Sequence, residues 1–114
     1  MAKRDEHRIL SELRDCRSFQ WDEANSRKIL LRHQVTRTEC EQIFVSRKLL
    51  VADDVKHSGP EPRYHAMGET AAGRRLLVVF TIREEMIRVV SARHMSRRER
   101  RWFARGQEEA EEDS

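Results

Sequence analysis

Six arginines crowd into thirteen residues near the end of this 114-residue chain: Arg93, Arg97, Arg98, Arg100, Arg101 and Arg105, opposed in that window by Glu99 alone. Arginine carries a planar fork of donors that stays charged at physiological pH and matches phosphate oxygens two at a time. The cluster therefore suits a polyanionic partner, although charged surfaces more commonly serve solubility. The net charge of +3 hides the bias, because five of the 20 carboxylates sit in the last seven positions. Without those five, 23 Lys and Arg face 15 carboxylates, a net charge of +8. Histidines supply the groups that exchange protons near neutral pH. His65 shares a strand face with Arg63, whereas Tyr64 between them faces the core. Arg93 and His94 end a strand and so point to opposite faces. The helix that follows opens with the amides of Arg97 and Arg98, and a helix N-terminus attracts anions without help from side chains.

These residues need elements to position them. Ile9, Leu10, Leu13 and Cys16 make a narrow apolar stripe at helical spacing over residues 3–16, in a helix too short to stand alone. Phe19 and Trp21 alternate with polar neighbours as in a short strand. Asp22 caps a helix expected to run to about Gln34, and Thr36 with Glu39 has capping-box spacing for a second one. Leu49 to Ala52 reads as extended, and both prolines place a loop over Asp53 to Pro62. Arg63 to Thr70 alternates, with Tyr64, Ala66 and Gly68 on one side, and turns at Ala71-Ala72-Gly73. The run from Leu76 to Phe80 reads as a central strand covered on both faces. A hairpin turn at Arg83-Glu84-Glu85 leads into a strand over Met86 to Ala92. Ser96 and Glu99 repeat the capping-box signal ahead of a helix that aims Trp102 and Phe103 inward. This order predicts an α+β fold, an antiparallel sheet with helices on the N-terminal side and one at the C-terminus.

Composition narrows the classes further. Hydrophobic and charged residues each make up 38% of the chain, enough for one lean core and one domain. The longest apolar run, Leu76 to Phe80, is far short of the roughly 20 residues of a spanning helix, so no membrane partner is expected. The N-terminal run from Lys3 to Glu6 lacks the apolar stretch of an export signal, and Cys16 and Cys40 fit reduced thiols, so a cytoplasmic protein is expected. The four glycines from Gly59 to Gly106 are scattered and form no phosphate loop, and no Cys/His set has zinc-ligand spacing. Neither metal nor cofactor is expected. Three segments result: a helical extension over residues 1–18, the main domain over 19–106, and a disordered acidic tail over 107–114.

The chain also resembles the BrnT toxin family. The resemblance is carried by Phe19-x-Trp21-Asp22-Glu23, Lys28 and Arg32-His33, by Arg63-Tyr64-x-Ala66-x-Gly68, by the strand LLVVFT, and by Ile87-Arg88-Val89-Val90-Ser91-Ala92-Arg93 with Ser96-Arg97-Arg98-Glu99-Arg100. It covers residues 19–103 and departs from the family where Gln34 replaces a helix-stopping glycine and His94 replaces a cation. The resemblance implies a small RelE-like fold and metal-independent cleavage of RNA. It also implies neutralisation by a BrnA-like antitoxin, in a hetero-oligomer such as two toxins with two antitoxins, which reaches operator DNA only through the antitoxin. The resemblance points to Arg93 and His33, and strand and helix position add the rest: His33, Arg63, Arg93 and His94 are the candidate catalytic residues, and Arg97, Arg98 and Arg101 the candidate phosphate ligands. The basic cluster alone equally suits a non-catalytic nucleic-acid-binding module or a scaffold for a regulator.

Overall fold

A computed structural model describes residues 3–56 and 59–112, with side chains described for 6–56 and 59–105. In chain order the elements are α1 (Lys3–Arg14), β1 (Ser18–Gln20), α2 (Glu23–His33), α3 (Arg37–Phe44), β2 (Leu50–Asp53), β3 (Tyr64–Glu69), β4 (Arg75–Arg83), β5 (Met86–His94) and α4 (Arg97–Glu112). The strands form one sheet in the order β1-β5-β4-β3-β2. The fold is α+β, as the element order predicts. All pairings are antiparallel except that of β1, which lies parallel to β5 at the edge through Ser18↔Met86 and Gln20↔Arg88.

Local chemistry sets the helix boundaries. Asp22 caps α2 by accepting from the Asn25 amide, and Thr36 with Glu39 closes a reciprocal capping box on α3. Ser96 and Glu99 close the same box on α4, at 2.7 and 3.2 Å. The α2 helix stops at Gln34, held left-handed at φ 56° and ψ 41° with its N–H on the Leu30 carbonyl. A non-glycine residue there carries a steric penalty of about 1 kcal/mol. The Arg74 guanidinium donates to the Gln34 carbonyl at 3.0 Å and helps hold that stop. In the β4–β5 turn, Glu84 and Glu85 both take positive φ, the backbone of a two-residue hairpin.

Packing divides the sheet into unequal faces. The larger core joins Ile9 of α1, Ile29 of α2 and Cys40 and Ile43 of α3 to Val51, Tyr64, Ala66, Leu76, Val78, Phe80, Ile87, Val89 and Ala92 of the strands. Ile9 is fully buried, and Arg8 grips both oxygens of Asp53 at 3.0 Å, so α1 docks on β2 rather than fraying. Burying such an aliphatic side chain stabilises by about 1.5–3 kcal/mol. Gly68 lets α3 approach β3, since a Cβ there would stand 2.9 Å from the Ile43 Cβ and 3.0 Å from its carbonyl oxygen. The other face has a small core of Met67, Leu77, Met95 and Phe103, with Trp102, Leu50 and Val79 against it. The α4 helix therefore covers one end of that face and leaves the rest open. Its backbone continues as helix through Glu112. The side chains over which the sequence predicts a disordered tail, 107–114, lie outside the described residues.

Candidate nucleic-acid interface

Strand register decides which side chains reach the open face. Tyr64 and Ala66 are core residues, so Arg63 and His65 beside them face the other way. The same alternation sends Arg75, Thr81 and Arg83 of β4, and Arg88, Ser91 and Arg93 of β5, to that face. Val90 has no partner in the register, because Phe80 pairs with Val89 and Val79 with Ser91. This bulge brings Arg88 and Arg93 to one face although they are an odd number of residues apart.

Arginines line a cavity of about 350 Å³ at one end of the open face, formed with the 59–63 loop and the start of α2. Arg63, Arg83 and Arg88 border it, with Thr81, Asn25 and Glu61. The Glu61 carboxylate takes the Arg83 guanidinium at 2.6 and 3.2 Å, and this holds its carboxyl below the usual carboxylate range. The Thr81 hydroxyl donates to the Pro62 carbonyl at 2.8 Å and so anchors the loop. Arg88 makes a looser pair with Asp22, at 3.8 Å. Three guanidiniums thus border the cavity, an arrangement suited to a phosphate.

His65, on β3, stands two positions after Arg63, which precedes the strand, and its Nε2 lies 3.2 Å from the Asp54 carboxylate. Asp54 is 5% exposed, whereas the His65 side chain is 34% exposed. The carboxylate is fixed by its own backbone, since the Asp54 amide donates to the Arg63 carbonyl at 2.8 Å.

At the far end of the same face Arg93 makes two parallel bonds to Glu99, at 2.7 and 2.9 Å, tying β5 to the first turn of α4. The paired guanidinium pushes the Glu99 carboxyl down to about 2, with help from the Ser96 amide. Beyond it Arg97 and Arg98 lie exposed at the N-terminus of α4, whose first amides have no partner within a helix. Arg98, Arg101 and Arg105 line a shallow groove along α4.

The sequence-derived residues therefore fall into two groups. Arg63, Arg93, Arg97, Arg98 and Arg101 border the open face, with Arg63 and Arg93 about 17 Å apart across the sheet by strand geometry. His94 pairs with Leu76 and so faces the helix-covered side, where its Nε2 meets the Arg74 guanidinium. Arg74 also pairs with Glu39 and bonds the carbonyl of Gln34, the neighbour of His33. Burial acts to raise the Glu39 carboxyl, but the Thr36 amide and Arg74 together hold it low. The Trp21 Nε1 donates to Glu41 at 2.8 Å and Arg37 lies over its ring. Burial raises both thiols, and Cys40 is pushed up to about 12.

Four residues at these clusters escape sequence reasoning: Arg88, Asp54, Arg74 and Glu39. Arg88 lies within a quoted motif, but plain alternation sends it away from Arg93. Asp54 and Arg74 lie in connections, where no periodicity reports direction. Glu39 announces only its cap.

Among the described residues no helix is long and apolar enough to cross a membrane. No curated protein matches the sequence significantly. The fold is similar to the crystal structure of the Brucella abortus ribonuclease toxin BrnT, at 18% identity and a TM-score of 0.51, over 70% of this chain and 97% of that one. Residues 21–99, which hold α2, α3, the four long strands and the start of α4, match the family described as the ribonuclease toxin BrnT of type II toxin–antitoxin systems. That stretch supplies the arginine-bordered open face almost entire, and the chain belongs to the BrnT family of ribonuclease toxins.

Proposed function

We propose that this chain is a metal-independent endoribonuclease that cuts single-stranded RNA, messenger RNA included, and thereby inhibits translation. The observation that carries the reading is the open sheet face, with an arginine-lined cavity at one end and the α4 arginines at the other. Cleavage without a metal uses the ribose 2′-hydroxyl as nucleophile, held in line with the phosphorus. Arg63 and Arg88 bind the scissile phosphate and stabilise the charge that builds on its oxygens, a task guanidiniums perform without titrating. Arg97, Arg98 and Arg101 hold flanking phosphates. Arg93 orients α4 through Glu99 and borders the RNA path. His33 and His94 open onto the helix-covered side, so this reading gives them no part in the cut.

A small BrnA-like antitoxin neutralises the toxin in a hetero-oligomer, and operator DNA is contacted only through that partner. The test is incubation of labelled RNA with partner-free protein and a chelator, with and without ribosomes. Cleavage that survives the chelator and is lost in the Arg63→Ala/Arg88→Ala variant supports the reading. RNA that stays intact under every condition refutes it. Salt-sensitive binding without any cut identifies a non-catalytic binding module instead.

A further inference from the structure

We infer that His65 and Asp54 form the proton-transfer pair of this ribonuclease, with His65 as the general base and Asp54 as its positioning residue. The inference rests on the endoribonuclease reading above and adds the group that starts the reaction. Among the described histidines, His65 is the one that register places on the open face beside Arg63. Its Nε2 lies 3.2 Å from the Asp54 carboxylate, within the reach of an oriented acid–base pair. Asp54 is buried and its amide is tied to the Arg63 carbonyl, so carboxylate, imidazole and arginine share one rigid strand pairing.

The pairing dictates which nitrogen works. With Nε2–H donated to Asp54, Nδ1 carries the lone pair that accepts a proton, on a side chain that is 34% exposed. Among the described residues, the charged groups on the side of His65 include Asp54, beyond the end of β2, and Arg63, just ahead of β3. Directly across on β4 stands the apolar Val79. An anion on Arg63 brings the adjoining 2′-hydroxyl within reach of Nδ1. The neutral imidazole takes the 2′-hydroxyl proton as the 2′-oxygen–phosphorus bond forms and the phosphorus–5′-oxygen bond breaks. The leaving 5′-oxygen takes a proton from water, and the imidazolium later returns its own to solvent. The products are a 2′,3′-cyclic phosphate and a 5′-hydroxyl, with no net change in atoms or charge. Asp54 stabilises the imidazolium formed midway and holds the ring in the productive tautomer.

The experiment compares wild type, His65→Gln, His65→Ala and Asp54→Asn for RNA cleavage across pH, with RNA binding measured in parallel. The expected result for His65→Gln is a rate at least about 100-fold lower, with RNA affinity within two-fold of wild type. The wild-type rate should rise with pH to a plateau, and that rise should vanish in His65→Gln. Added imidazole should restore part of the His65→Ala rate, which no purely structural role explains. In Asp54→Asn the maximal rate should fall while KM for RNA stays within two-fold of wild type, because the ring loses the carboxylate that orients it. A cutting wild type with an equally active His65→Gln, or a His65→Ala indifferent to imidazole, overturns the pair alone. A wild type that cuts nothing overturns the endoribonuclease reading beneath it.

Discussion

Glu99→Gln tests whether the Arg93–Glu99 pair anchors α4, and its magnitude can be worked from the site. The Glu99 carboxyl lies at about 2 against an ordinary 4.5. Taken at face value that difference is worth about 3 kcal/mol. The Glu99 side chain is 24% exposed and Arg93 is 41% exposed, so solvent weakens the pair. Screening of this degree brings the expected loss to about 1–1.5 kcal/mol at pH 7. The sign with pH follows from linkage. As pH falls below about 4.5 the unfolded carboxyl takes up its proton, whereas the folded one holds out to about 2, so acid favours unfolding. The contribution is complete above about pH 5, roughly half lost at pH 3 and gone below 2. Urea unfolding of wild type and Glu99→Gln should therefore show a gap at pH 7 that narrows steadily to pH 3. Equal stability at pH 7, or a gap unchanged at pH 3, refutes the assignment.

Gln34→Gly should raise stability by about 1 kcal/mol, seen as a higher melting temperature, because glycine adopts the left-handed stop without steric penalty. A lower melting temperature would mean that the Gln34 side chain contributes more than its backbone loses. Gly68→Ala should destabilise by about 1–3 kcal/mol in denaturant titration, since the crowding atoms include the Ile43 carbonyl oxygen, which belongs to a helix and yields little. Wild-type stability in that variant would show that α3 shifts freely on β3. Arg88→Ala should weaken RNA binding and lower the slope of log affinity against log salt by about 1, the mark of one lost phosphate contact. An unchanged slope removes Arg88 from the RNA path.

Signals confined to a few neighbouring residues were the ones legible in the sequence. Thr36 with Glu39 and Ser96 with Glu99 announce helix starts because both halves of a capping box lie within one turn. The Arg83-Glu84-Glu85 turn is legible because the strands on either side of it must pair closely. The parallel pairing of β1 was not, because three residues carry too little pattern to name a partner with five elements in between. Trp21 shows the same limit: its spacing fits a strand, but its indole is claimed by Glu41 twenty positions on. At the candidate site the residue types were readable and their company was not. His65 and Arg63 share a face by simple alternation, whereas Asp54 joins them only because β2 pairs with β3 in one register.

The sharpest case is β5, where a single residue decides the composition of the site. Strict alternation from Arg88 puts Val90 and Ala92 on its face and sends Arg93 to the opposite one. The core does not allow this, because Ile87 and Val89 are buried before Val90 and Ala92 is buried after it. Both stretches can bury their apolar residues only if one position is left out of the ladder, and Val90 is that position. Its omission turns Ser91 and Arg93 to the side of Arg88 and leaves His94 with Arg74 on the other. The bulge is thus a change of phase between two buried sets. The open face gains its second β5 arginine from that change, so the packing demand of Ala92 and the charge of the candidate site have one cause.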